Sequence, residues 1–182
     1  MTIQGQIDQS STSGSASAGR VTVAGNRKIA QVFEAGYSGN LVAVRVNVSC
    51  TAGSASPVIS VYSVVNGIIS KDPLRTVSPS TQDTVLSGIV AFTSPFQQVA
   101  GMTYAIVVEY PKGRSSDKIS WTASQGADSN PPCYIWDGST WKVQATVCDF
   151  ITLAIKSETI TSETPQEPST EARSPVTTKT GV

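Results

Sequence analysis

Apolar and polar positions along this chain alternate with a period of two, and no segment carries a helical stripe of period 3.6. Such alternation over β-branched and aromatic residues marks strands. The stretch Gly88–Tyr110 shows it twice. Val90 and Phe92 alternate with Ala91 and Thr93; Tyr104, Ile106, Val108 and Tyr110 alternate with Thr103, Ala105, Val107 and Glu109. This reads as strand, arched connection, strand. Pro95 cannot donate to a ladder and marks the exit from the first strand. Gly101 supplies the backbone freedom for the turn into the second, and Met102–Val108 is the candidate central strand. Leu41–Cys50 alternates as cleanly, with Val42, Val44, Val46 and Val48 on an expected core face and Arg45 and Asn47 on the other.

The remaining elements are short. Arg20–Ala24 and Lys28–Ala35 are parted by Gly25-Asn26. Pro57–Val65 and Ile68-Ile69 are joined by Asn66-Gly67, a strong hairpin signal because both central residues of a type I′ turn need positive φ. Leu74–Val77 is a short edge strand beyond the Asp72-Pro73 break, and Lys118–Ser124 puts Ile119, Trp121 and Ala123 on one face. Cys133–Asp137 and Thr140–Ala145 form a hairpin through Asp137-Gly138-Ser139, and Cys148–Ile155 is the last strand. About ten strands at short spacing predict an all-β fold, an antiparallel β-sandwich of jelly-roll type. Composition divides the chain. Residues 1–19 are Ser/Gly-rich and without aromatics, a flexible arm with Ile3 and Ile7 as candidate anchors. Residues 20–157 form the sandwich. Residues 158–182, with Pro165, Pro168 and Pro175 among Thr, Ser and Glu, read as a disordered tail.

Charge narrows the partners. Thirteen basic and thirteen acidic residues in 182 leave a formal net charge of zero. There is no basic footprint for nucleic acid and no polybasic patch for anionic lipid. Apolar runs are strand-sized, short of the roughly 20 residues of a membrane helix, so no membrane insertion is expected. Met1–Arg20 lacks the basic and apolar regions of a secretory signal. The expectation is a chain held in the cytoplasm until it is assembled, or a mature piece of a longer precursor. The cysteines are Cys50, Cys133 and Cys148. If Trp136 and Trp141 face each other across the turn, Cys133 lies opposite Gln144. The four-residue offset to Cys148 then spans roughly 13 Å, against the Cα separation of about 7 Å that a disulfide tolerates. Three buried thiols are expected, with a bend after Ala145 as the geometry that would bring the pair together.

Chemistry is constrained by an absence: the chain has no histidine. Ser-His-Asp and Cys-His catalysis and His-containing zinc sites are excluded. Glu34, Asp72, Asp83, Glu109, Asp117, Asp128, Asp137 and Asp149 could in principle supply a carboxylate pair, but most fall in turns, where Asp is expected for backbone reasons. Asp117 and Asp128 lack the spacing of a calcium loop. The reading is non-enzymatic, with no cofactor and no metal. The other constellation is aromatic. Trp136 and Tyr134 are candidates to stack on a sugar ring, with Asp137, Asn130 and Gln125 supplying hydrogen bonds. The competing reading is core packing. Trp121 shares parity with Ile119 and Ala123, and Trp141 with Val143 and Ala145, so both are expected inside; Trp136 and Tyr134 have the opposite parity to Ile135 and stay open. Asn47-Val48-Ser49 matches a glycosylation acceptor but lies within an expected strand and is taken as chance.

One series of residues resembles a known family. It runs AQVFEAG (Ala30–Gly36), GNLVAVRVNV, VISVYSVVNG followed by Leu74, VAFTSPFQQVAGMTYAIVVEY, then the WDGSTW hairpin and a final strand. The series is similar to the jelly-roll domain called choice-of-anchor R in bacterial surface and phage structural proteins, over about Lys28–Lys156. The resemblance rests on fold-marking residues and carries over no active-site positions. It implies a module of extracellular, adhesive or tail-associated proteins. The family's anchor has no counterpart, since 158–182 contains no hydrophobic helix. The expected function is a non-enzymatic structural or binding component of an extracellular particle: a decoration, fibre or tail-associated protein of a phage virion, with protein partners in that assembly. The alternative is a carbohydrate-binding or adhesion module of a secreted bacterial surface protein, with glycans as partners and the cell exterior as its location.

Overall fold

The computed structural model describes residues 5–11, 18–51, 57–79, 85–86, 88–111, 114–125 and 131–157. These form sixteen strands, β1 to β16 in chain order. They assemble into three antiparallel sheets. A four-stranded sheet runs β1 (Gln6–Ser11), β16 (Phe150–Lys156), β4 (Gly39–Val46), β10 (Ile89–Gln98). A seven-stranded sheet runs β14 (Trp141–Val143), β13 (Cys133–Trp136), β3 (Lys28–Glu34), β11 (Thr103–Glu109), β6 (Val58–Val65), β7 (Ile68–Ile69), with β8 (Arg75–Val77) also on β6. A five-stranded sheet runs β15 (Thr146–Cys148), β12 (Lys118–Gln125), β5 (Val48–Cys50), β9 (Val85–Leu86), with β2 (Ala18–Ala24) on β12.

The result is an antiparallel β-sandwich. One apolar cluster takes residues from all three sheets: Leu41, Val44, Val46, Phe92, Phe96 and Phe150 from the first, Phe33, Ile59, Ile106 and Val108 from the second, Val48, Ile119, Trp121 and Cys148 from the third. The central strand is as expected. β11 lies between β3 and β6, and Tyr104, Ile106 and Val108 all enter the core. Asn66 and Gly67 have φ of 52° and 75°, and Val65 pairs directly with Ile68, the tight hairpin their dipeptide implies. Gly101 turns the chain into β11 at φ 76°.

Four expectations are corrected. Leu41–Cys50 is two strands: β4 belongs to the four-stranded sheet and β5 to the five-stranded one, with Asn47 between. The chain makes the same step at Asp149, between β15 and β16. The two steps meet across β12, where Thr122 N–H donates to Asn47 O at 2.9 Å and Asp149 N–H to Thr122 O at 2.8 Å. Alternation cannot reveal such a step, because the inward face stays inward on both sides of it. Second, Val42 is buried but stands outside the main cluster that holds Val44, Val46 and Val48. The register of β16 against β4 shifts between Leu153 and Ala154, so that Leu41 enters the core in its place. Third, Pro95 does not end its strand. It lies in the stretch of β10 between Ala91 and Phe96 where pairing with β4 is interrupted, so no ladder bond is asked of its nitrogen.

Fourth, the arm expected over residues 1–19 contains a paired strand. β1 adds to β16, and polar contacts hold it where apolar burial cannot. Asp8 Oδ1 accepts from Gly36 N–H (3.0 Å) and Tyr37 N–H (3.2 Å), and Asp8 Oδ2 from Gln98 Nε2 (2.9 Å). The Tyr37 hydroxyl donates to Ala154 O at 2.9 Å and lies 3.2 Å from Gln6 O. The tail expected at 158–182 lies outside the described residues. No helix among the described residues is long and apolar enough to cross a membrane.

Candidate binding face

The seven-stranded sheet has two apolar faces. One closes the main core. The other carries a second cluster of Ala30, Val32, Tyr62, Val64, Ile69, Ala105 and Val107, against which Tyr134 and Trp141 pack. Among the described residues, every member belongs to this sheet and none comes from the other two. Strand register shows how the face is composed, because directly paired residues share a face. Trp141, Trp136, Lys28, Glu109 and Val58 follow one another across five strands. The next row is Val143, Tyr134, Ala30, Val107 and Ser60. Small residues in the centre thus adjoin three large aromatics at one side.

The aromatic side is built by the β13–β14 hairpin. Trp136 and Trp141 pair across it, with ring centroids 5.5 Å apart and planes at 58°. Asp137 organises the turn between them. Its Oδ1 accepts from Ser139 N–H (2.9 Å), Ser139 Oγ (2.8 Å) and Thr140 N–H (3.0 Å), and Oδ2 meets Lys142 Nζ at 2.7 Å. The Lys142 ammonium, with the Thr140 and Ser139 donors, holds the Asp137 carboxyl well below the usual carboxylate range. Gly138 takes φ 110° to complete the turn.

Beside Trp136, Lys28 Nζ and Glu109 Oε2 form a 2.7 Å ion pair with only 28% and 16% of their side chains exposed. Tyr62, on the same face, has its phenol pushed up by burial. Lys28 pulls it the other way, Glu109 and Asp72 add to the rise, and a hydrogen bond from Ser60 lowers it. Ser60 Oγ lies 3.0 Å from Thr76 Oγ1. The face therefore offers aromatic surface, one ion pair and several hydroxyls.

Sequence reasoning placed these residues unevenly. Trp136 and Tyr134 are on the outer face, half-buried, where their parity allowed them to be. Asp137 is beside them, but both its carboxylate oxygens are engaged within the turn. Gln125 ends β12 in the five-stranded sheet, opposite Thr146; its side chain and all of Asn130 lie outside the described residues. Trp121 is core as expected, fully buried, with its Nε1 donating to Asp149 O at 2.7 Å. Trp141 is a correction. It was expected in the core, yet it sits half-buried on the outer face, with Val143 60% exposed beyond it. The signal was available: a register that sets Trp141 opposite Trp136 obliges the two to share a face. Lys28 and Tyr62 were missed, and Glu109 was weighed only as a catalytic carboxylate, because their proximity depends on long-range pairing that local pattern does not encode.

Of the acidic residues weighed for metal or catalysis, Asp83 lies outside the described residues. Asp117 is buried and caps its own turn, accepting from Arg114 N–H at 2.7 Å, and Asp128 lies outside the described residues. Among the described residues no group of three or more metal-ligating side chains converges. No protein-family model matches the chain, and no curated protein is significantly similar to it.

Proposed function

We propose that the chain is a non-enzymatic structural or binding component of an extracellular particle, with a phage virion as its setting, and that the outer face of the seven-stranded sheet is where it grips a partner protein. One observation carries this reading: Trp136, Trp141 and Tyr134 stand together on a face to which, among the described residues, neither of the other sheets contributes. Trp and Tyr are the residues that most often anchor protein interfaces, because they bring a large rigid area at little entropic cost. The Lys28–Glu109 pair at the edge of that surface gives a docked partner charge and orientation. The resemblance to choice-of-anchor R domains supports the setting. Zero net charge gives nucleic acid and anionic membrane little to hold. Mass spectrometry of particles purified from the source is the test. The intact chain should be found in them, and Trp136→Ala should lower its incorporation; a chain absent from the particles ends this reading.

A second reading, a carbohydrate-binding or adhesion module, draws on the same face. Trp136 is paired across the sheet with Lys28, itself bridged to Glu109. A ring to stack on a pyranose beside fixed donors and acceptors is what sugar recognition requires. Quenching of tryptophan fluorescence by a defined glycan, lost in Trp136→Ala, would favour it over the first.

A further inference from the structure

Along an ideal hairpin, Cys148 would lie far from Cys133. The structure breaks the hairpin. Pairing of β13 with β14 ends where Gln144 N–H donates to Cys133 O at 2.9 Å, and the chain then bends at Ala145. β15 departs to pair with β12 through only three residues, Thr146, Val147 and Cys148. The bend returns the chain toward β13. Thr146 Oγ1 comes to 3.3 Å from Cys133 Sγ, which brings the end of β15, and Cys148 with it, back beside Cys133. Gln31, fully buried, fixes both partners. It pairs with Cys133 across β3 and β13, and its Oε1 accepts from Cys148 N–H at 2.7 Å. Both cysteines are fully buried. Cys50, the third thiol, is buried elsewhere, with Tyr110 as its neighbour.

We propose that Cys133 and Cys148 are a disulfide-forming pair, reduced in a thiol-rich compartment and closed to a covalent staple between the seven-stranded and five-stranded sheets in an oxidising one. The oxidant is a small-molecule disulfide. The Cys133 sulfur attacks one of its sulfurs, making a mixed disulfide and releasing one thiol. The Cys148 sulfur then attacks the Cys133 sulfur, forming the internal bond and releasing the second thiol. Two electrons pass from the cysteines to the external disulfide, and the two cysteine protons end on the two released thiols. Cys133 suits the first step: the neighbouring Cys148 thiol and the Thr146 hydroxyl pull its pKa down, while burial and the neighbouring Cys133 push that of Cys148 up. The oxidant gains access by local release of β15, which pairs with β12 through three residues only and follows the exposed Ala145. The inference does not depend on the function proposed above.

The test uses the full chain, purified reduced and then held with oxidised glutathione. Thiols counted in denaturant should fall from the three of the sequence to one. Trypsin cutting after Lys142 separates the two cysteines, so the bond should appear as a linked pair of peptides, one with Cys133 and one with Cys148, that reduction dissolves. Closing a loop of this length should raise Tm by about 6–12 °C in the oxidised form. Cys133→Ala and Cys148→Ala should each abolish that gap, and Cys50→Ala should keep it. The proposal is overturned by three free thiols after prolonged oxidation, by a glutathione adduct with no linked peptide, or by a link that includes Cys50. The wild-type peptide map decides the matter even where an alanine variant fails to fold.

Discussion

Gln31 occupies a core position on β3 between Ile29 and Phe33, fully buried. Its Nε2 donates to Val32 O and Pro131 O, both at 2.8 Å, while Oε1 holds Cys148 N–H. A buried amide costs little when all its partners are present, and here it ties the lead-in of β13 and the end of β15 to β3. Local pattern supplies no reason for a glutamine there; only its distant partners do. The three tryptophans make a sharper contrast. Trp121→Ala should destabilise by about 3–5 kcal/mol, as a core truncation. Trp136→Ala and Trp141→Ala should each leave the fold intact and weaken partner binding, by about 2 kcal/mol if both are hot spots. Denaturant unfolding of all three variants separates the cases; a Trp141→Ala variant as unstable as Trp121→Ala would return Trp141 to the core. Asp137 adds a pH dependence. Its depressed pKa means that the turn contacts stabilise the fold fully above the unfolded value of about 4 and are lost as pH falls toward the lower folded value. Acid titration followed by tryptophan fluorescence should show a transition below about pH 4 that Asp137→Asn lacks. The same transition in both proteins would assign it to another group.

At the scale of elements, β1 is a strand made by polar contacts. Gln6–Ser11 is polar except for Ile7, which is 61% exposed, so hydrophobic burial does not explain its place at the edge of β16. Asp8 does, by accepting from the backbone of Gly36 and Tyr37 and from Gln98. Gly36 leaves room for it, since a Cβ there would come within 3.0 Å of Asp8 Oδ1. Asp8→Ala is therefore expected to destabilise by about 1–3 kcal/mol and to release β1 selectively. Hydrogen exchange should then rise in residues 6–11 and at Gly36 and Tyr37, with β11 unchanged. Uniform exchange across all three sheets, or none, would contradict that role. Composition read this segment as an arm because Ser- and Gln-rich sequence carries no apolar signal, and the clamp that orders it comes from residues nearly thirty or ninety positions away.

For the molecule as a whole, stability resides in the shared core of three sheets. The ends are another matter: residues 158–182 hold three prolines and no aromatic, and so bring little apolar surface to bury. A chain ending at Ser157 should keep its Tm. A loss above about 3 °C, roughly 1 kcal/mol for a domain of this size, would show that the segment docks on the body. The sandwich's curvature is set where β4 passes into β5 at Asn47 and β15 into β16 at Asp149, both bonded to Thr122. These crossings let the four- and five-stranded sheets face the seven-stranded one around a single core.

Local chemistry alone determined the all-β class, the central place of β11, the hairpin at Asn66-Gly67, the turn at Asp137-Gly138 and the burial of Trp121 and the three thiols. Each follows from a preference that acts within a few residues: side-chain alternation, positive φ, or the cost of exposing a large ring. Tertiary structure decided the rest. The irregularity that turns Val42 from the main cluster, the interrupted pairing that admits Pro95 and the bend that brings Cys148 to Cys133 are breaks in register. The shared face of Trp136 and Trp141 and the Lys28–Glu109 pair are consequences of register. Register is chosen by the hydrogen bonds of partner strands far away in sequence, so no window along the chain contains it.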